Sequence, residues 1–132
     1  MKATGKAVSP TGDTTTQAPA VAEATLAINT RPLFKLMVEK KASDLFFTSN
    51  APIKIKIEGQ IFPVNKQILT PETVRQSAFA LMTPEQLEYF HRELEIDFAI
   101  SEPGLGRFRV NVFHQRGFPA LVMRYITADM PK

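Results

Sequence analysis

The stretch GLGRFRVNVFHQRGFPALVMRYI, Gly104 to Ile126, decides the fold. It reads as two antiparallel strands joined by a two-residue turn at Arg116-Gly117, because apolar and polar residues alternate on both sides of that dipeptide. In this register Phe108 faces Tyr125, Val110 faces Met123 and Val112 faces Leu121. Successive strand residues point to opposite faces, so the reverse face carries Arg109 directly opposite Arg124, with Asn111 beside them and Arg107 at the end. A slip of one residue destroys both patterns. Two facing guanidinium groups repel across a ladder, so the arrangement costs stability unless an anion or a carboxylate sits between them. The pair is therefore the leading functional candidate.

Upstream, Ile96, Phe98 and Ile100 alternate with Glu95, Asp97 and Ser101, which predicts a third strand. With a loop over Glu102 to Gly106, Ile100 meets Phe108, Phe98 meets Val110 and Ile96 meets Val112, so the apolar face continues across three strands. Asp97 then falls opposite Asn111 and diagonal to Arg109, which offers that arginine an ordinary surface ion pair. A solvated basic sheet face is another bland reading. The functional reading requires a polyanion, since guanidinium groups on a rigid sheet match phosphate oxygens and stay charged at any cellular pH. In sequence, Arg107, Arg109, Arg116 and Arg124 meet almost no acid between Glu102 and Asp129.

The remaining elements are read in the same way. Thr30 is an N-cap candidate before Arg31-Pro32, and Leu33, Phe34, Leu36 and Met37 recur at helical spacing. DLFFT, from Asp44 to Thr48, reads as a strand. Ile53, Ile55 and Ile57 alternate with Lys54, Lys56 and Glu58, and Glu58-Gly59-Gln60 turns that strand back into Ile61 to Val64. Pro63 lacks an amide donor and places this return strand at a sheet edge. Thr70-Pro71-Glu72 and Thr83-Pro84-Glu85-Gln86 start two helices, the second with a capping box. Their inner faces are Val74, Ala78 and Leu81, then Leu87, Phe90 and Leu94.

Composition bounds what this can be. The 132 residues, 44% hydrophobic with ten Phe, suffice for one domain with one core. There is no Cys, which excludes disulfides and thiolate metal sites and fits a cytoplasmic chain. No apolar run approaches the roughly 20 residues that span a bilayer, so a soluble protein is expected. Residues 1–29, rich in Ala, Thr and Pro, cannot offset their own ordering entropy and are expected to form a disordered tail or linker. The net charge of +3 is mild for a nucleic-acid binder, and Phe113 is the only aromatic expected on the arginine face, so nucleic acid is a poor partner.

The chemistry of the other residues is sparse. His91 and His114 have no acidic ligand at metal spacing, so no metal site is expected. Glu93, Glu95 and Asp97 line a solvent-facing edge, and the serines have no neighbouring base. No GxxxxGK[ST] occurs, so this stretch is not expected to hold and hydrolyse a nucleotide by itself.

Five separated motifs carry a resemblance: a helix leading into ASDLF (Ala42 to Phe46), the hairpin Gly59, E-x-D-F-A (Glu95 to Ala99), G-R-F-R-V-N-x-F (Gly106 to Phe113) and V-M-R (Val122 to Arg124). In order, over Leu33 to Lys132, they resemble the N-terminal domain of type IV pilus retraction (twitching motility) ATPases of the PilT/PilU kind, closer to PilU, in the secretion superfamily. The resemblance implies an α+β, PAS-like domain, mainly antiparallel sheet with helices on one face, over residues 30–128. Residues 129–132 would begin a linker to a RecA-like motor domain. It further implies a homohexamer in which this domain packs on a neighbouring motor domain, with Arg109 and Arg124 reaching the phosphates of interdomain ATP. Arg107, Asn111 and Arg116 are additional candidates for nucleotide contact. ATP and Mg2+ would be cofactors of the full-length protein only. The implied partners are the protein's own motor domain, neighbouring subunits and the pilus platform protein, at the cytoplasmic side of the inner membrane. The alternative is a stand-alone PAS-like binding or oligomerisation module that uses its basic sheet face.

Overall fold

The computed structural model describes residues 27–127; of the tail expected over residues 1–29, residues 1–26 lie outside the described residues, as does the linker expected at 129–132. Helix α1 (Arg31–Lys40) is followed by strands β1 (Asp44–Thr48), β2 (Pro52–Ile57) and β3 (Gln60–Ile68). Helices α2 (Pro71–Phe79) and α3 (Pro84–Glu93) precede strands β4 (Ile96–Glu102), β5 (Gly106–Gln115) and β6 (Phe118–Thr127). The strands form one antiparallel sheet in the order β3-β2-β1-β6-β5-β4. Two three-stranded meanders are thus joined where β1 meets β6, and the fold is the expected α+β.

The β5–β6 register matches the alternation residue for residue, with Phe108 opposite Tyr125, Val110 opposite Met123 and Arg109 opposite Arg124. Arg116 (φ 55°) and Gly117 (φ 82°) are both left-handed, the turn whose twist suits a two-residue hairpin. Glu58 (φ 51°) and Gly59 (φ 80°) repeat that solution between β2 and β3. Pro63 lies on the edge strand β3, as its missing donor requires.

Alternation gives the sheet one apolar face, and the helices cover it. Phe34 of α1 and Phe108 of β5 are fully buried and stack with ring centroids 4.3 Å apart. Leu45, Phe47, Ile55, Val110, Val112, Leu121 and Met123 extend this core, which Met37, Val74 and Phe90 close from the helix side. Ser77 is buried within α2, where its hydroxyl donates to the Thr73 carbonyl and accepts from the Ile28 amide. That contact orders the chain from Ile28, two residues before Thr30.

Local expectations fail where tertiary geometry intervenes. Thr30 stands at the N-cap of α1 but is in the right-handed helical region, with no side-chain cap bond. Leu94 does not face the core: it is the left-handed C-cap of α3 (φ 64°), and the reversal leaves it 57% exposed. The β4–β5 loop is shorter than expected because Glu102 and Gly106 pair, while β3 runs on to Ile68.

Truncating Phe108 to Ala removes its stack on Phe34 and opens a cavity against a rigid sheet. Urea unfolding is expected to show a loss of about 3–5 kcal/mol, whereas Phe62→Ala on the exposed β3 edge costs less than about 1.5 kcal/mol.

Candidate functional site

Among the described residues, nothing covers the sheet face opposite the helices. On it Lys56, Asp44, Arg124 and Arg109 stand in one row across β2, β1, β6 and β5, each directly opposite the next. At about 4.8 Å per strand the row spans roughly 14 Å. These four side chains, with Phe46, Asp97, Asn111, Phe113 and Val122, line a shallow concavity of about 520 Å³. The two arginines therefore share one face and one depression.

Both arginines are paired. Asp97 grips Arg109 with two parallel bonds, Nε to Oδ1 at 2.9 Å and Nη2 to Oδ2 at 3.0 Å. This fork-to-fork contact, through its hydrogen bonds and then its charge, raises the guanidinium pKa further above its ordinary value. Both partners remain largely exposed. Arg124 meets Asp44 differently: Nε and Nη2 both approach Oδ2, each at 3.1 Å. The Asp44 side chain is only 8% exposed while that of Arg124 is 64% exposed.

The sequence holds almost no acid between Glu102 and Asp129, yet both arginines are neutralised, Arg109 by the expected Asp97 of β4 and Arg124 by Asp44 of β1. Asp97 was legible as the diagonal neighbour. Asp44 lies 80 residues from Arg124, and only the β1–β6 pairing brings it in. Of the other candidates, Asn111 lines the concavity but donates its amide to the Ile96 carbonyl at 3.2 Å, clipping β5 to β4. Arg107 is exposed at the start of β5, opposite Thr127 and beside a register shift. Arg116 sits at the hairpin tip beside Phe118 and Pro119, in a separate depression. The structure does not bring it to the pair. His91 and His114 both pack against Phe90 on the helix side, away from this face.

The domain is α+β, and its arginine row lies on a sheet face that no helix covers among the described residues. No family model matches the chain. The type IV pilus ATPase PilU of Pseudomonas aeruginosa is 42% identical over 99 residues, covering 75% of this chain and 26% of that protein. The type IV pilus retraction ATPase PilT of the same organism is 32% identical over 98 residues, covering 74% and 28%. The crystal structure of the pilus retraction motor PilT with bound ADP superposes with a TM-score of 0.71 at 29% identity, over 80% of this chain and 31% of that one. The class is that of a type IV pilus motor ATPase domain. Within it, the chain belongs to the N-terminal domains of the PilT/PilU type. It spans about a quarter of the length of the curated relatives it matches.

The two ion pairs differ in what they do for the fold. Arg124→Ala leaves a buried carboxylate without its partner and is expected to cost about 1–2 kcal/mol in denaturant unfolding, at the low end because Lys56 can swing toward Asp44. Arg109→Ala, at an exposed pair, is expected to leave the unfolding midpoint unchanged within error.

Proposed function

We propose that this domain is the N-terminal part of a hexameric ATPase that powers type IV pilus retraction. Residues 30–128 form the domain and 129–132 begin the linker to a RecA-like motor, with residues 1–29 as a tail. In the ring it packs on the motor domain of a neighbouring subunit. Arg109 and Arg124 then reach the phosphates of an ATP that the motor holds with Mg2+, and they stabilise charge developing on the transferred phosphoryl group. The protein works in the cytoplasm, at the inner membrane, against the pilus platform protein.

The observation that carries this reading is the Arg109–Arg124 juxtaposition on a sheet face that no helix covers. Each guanidinium is held on that face by a carboxylate, Asp97 or Asp44, and both arginine side chains stay exposed to a partner outside the domain. The relatives' names support the same reading, since they are pilus ATPases and one is solved with ADP. Arg107 is exposed on the same strand and can extend the basic surface, whereas Asn111 contributes by fixing β5 to β4.

The test is ATP hydrolysis by the full-length ATPase. Arg109→Ala and Arg124→Ala are each expected to lower kcat by about 100-fold or more, the scale of a lost transition-state donor. Arg109→Lys is expected to recover only part of this, because an ammonium cannot reproduce the planar fork. Unchanged kcat in both alanine variants would end the proposal.

A further inference from the structure

The row across the open face holds three cations, and only two of them have a carboxylate. Asp44 is one strand from both Lys56 and Arg124, and it takes Arg124 through two nitrogens. Asp97 takes Arg109. Among the described residues, no carboxylate lies within ion-pair distance of the Lys56 ammonium. Lys56 nevertheless lines the same concavity as both arginines. Counting Arg109, Arg124 and Lys56 against Asp44 and Asp97, the depression is left with one positive charge, and Lys56 carries it.

We propose that Lys56 is a third phosphate-binding residue of this face, and the one that engages the nucleotide first. This rests on the nucleotide reading of the arginine pair and goes beyond it by assigning a group of different chemistry. An arginine already bonded to a carboxylate gains little from a phosphate until it loosens that bond. A lysine without such a partner gives up only water. Its ammonium is a point charge on a four-carbon stem, able to follow phosphate oxygens that a fixed fork cannot reach. Its contact is therefore made equally in the ground state and the transition state, which affects substrate binding and not turnover. The neighbouring Lys54 pairs across from Phe46 and does not line the depression, so the position selects Lys56 alone.

The experiment compares Lys56→Met, which keeps the stem and removes the charge, with Lys56→Gln, Lys56→Arg and Arg109→Ala in the full-length ATPase, each variant's folding checked by thermal melting. Lys56→Met and Lys56→Gln are expected to raise KM for ATP about tenfold with kcat within about twofold. Lys56→Arg is expected to restore most of the affinity. If KM is unchanged in both neutral variants while Arg109→Ala loses turnover, the Lys56 assignment is overturned and the arginine reading stands. If the neutral Lys56 variants lose kcat with KM unchanged, the early-binding role is overturned. If neither the Lys56 variants nor Arg109→Ala changes KM or kcat, the Lys56 assignment is overturned, and the same null result for Arg124→Ala overturns the arginine reading with it.

Discussion

The pairing of β1 with β6 is the constraint on which the rest of this molecule depends. It joins two three-stranded meanders into one six-stranded sheet with a single continuous apolar face. In doing so it sets Leu45 opposite Met123 and Phe47 opposite Leu121, all fully buried, at the centre of the core. The same register places Asp44 opposite Arg124 on the reverse face. Because side chains alternate strictly, the core and the open face cannot be adjusted independently: a shift that moved Asp44 would also expose Leu45.

This explains which parts of the structure could be read from the sequence. Strands β4, β5 and β6 follow one another through short loops, so alternation alone fixed both registers and placed Arg109, Arg124 and Asp97 correctly. The contact between β1 and β6 is not local. DLFFT reads as a strand, but nothing in it states which strand lies beside it, so no role for Asp44 or Lys56 follows from the sequence. Asp44 did carry a signal: in the alternation of Asp44, Phe46 and Thr48 it stands out as a carboxylate opening an otherwise apolar strand. Leu94 marks the opposite limit, since helical periodicity cannot show where a left-handed cap ends the helix.

The two carboxylates resolve the problem posed by facing guanidinium groups. Each arginine has its own acid, supplied from the strand on its far side, Asp97 from β4 and Asp44 from β1. The like charges are thereby held apart by outward attraction, and the fold tolerates an arrangement that would otherwise open the hairpin. The bland reading of Arg109 and the functional one are therefore compatible. An exposed ion pair that adds little to the stability of the domain still holds the guanidinium in place for a later partner.

The pairs are also unequal. Asp44 is buried and bound through a single oxygen, so Arg124 is the anchored member: moving it would leave a desolvated carboxylate unpaired. Asp97 is exposed, and water can replace Arg109 at little cost. In both contacts Nε and Nη2 are engaged and, among the described residues, Nη1 donates to no protein partner. In the proposed nucleotide complex, phosphate capture exchanges one oxyanion for another at Arg109, a step in which the net number of charge-assisted bonds is conserved. Fixed and movable donors on one rigid sheet thus divide the work, with Arg124 setting position and Arg109 supplying the adjustment.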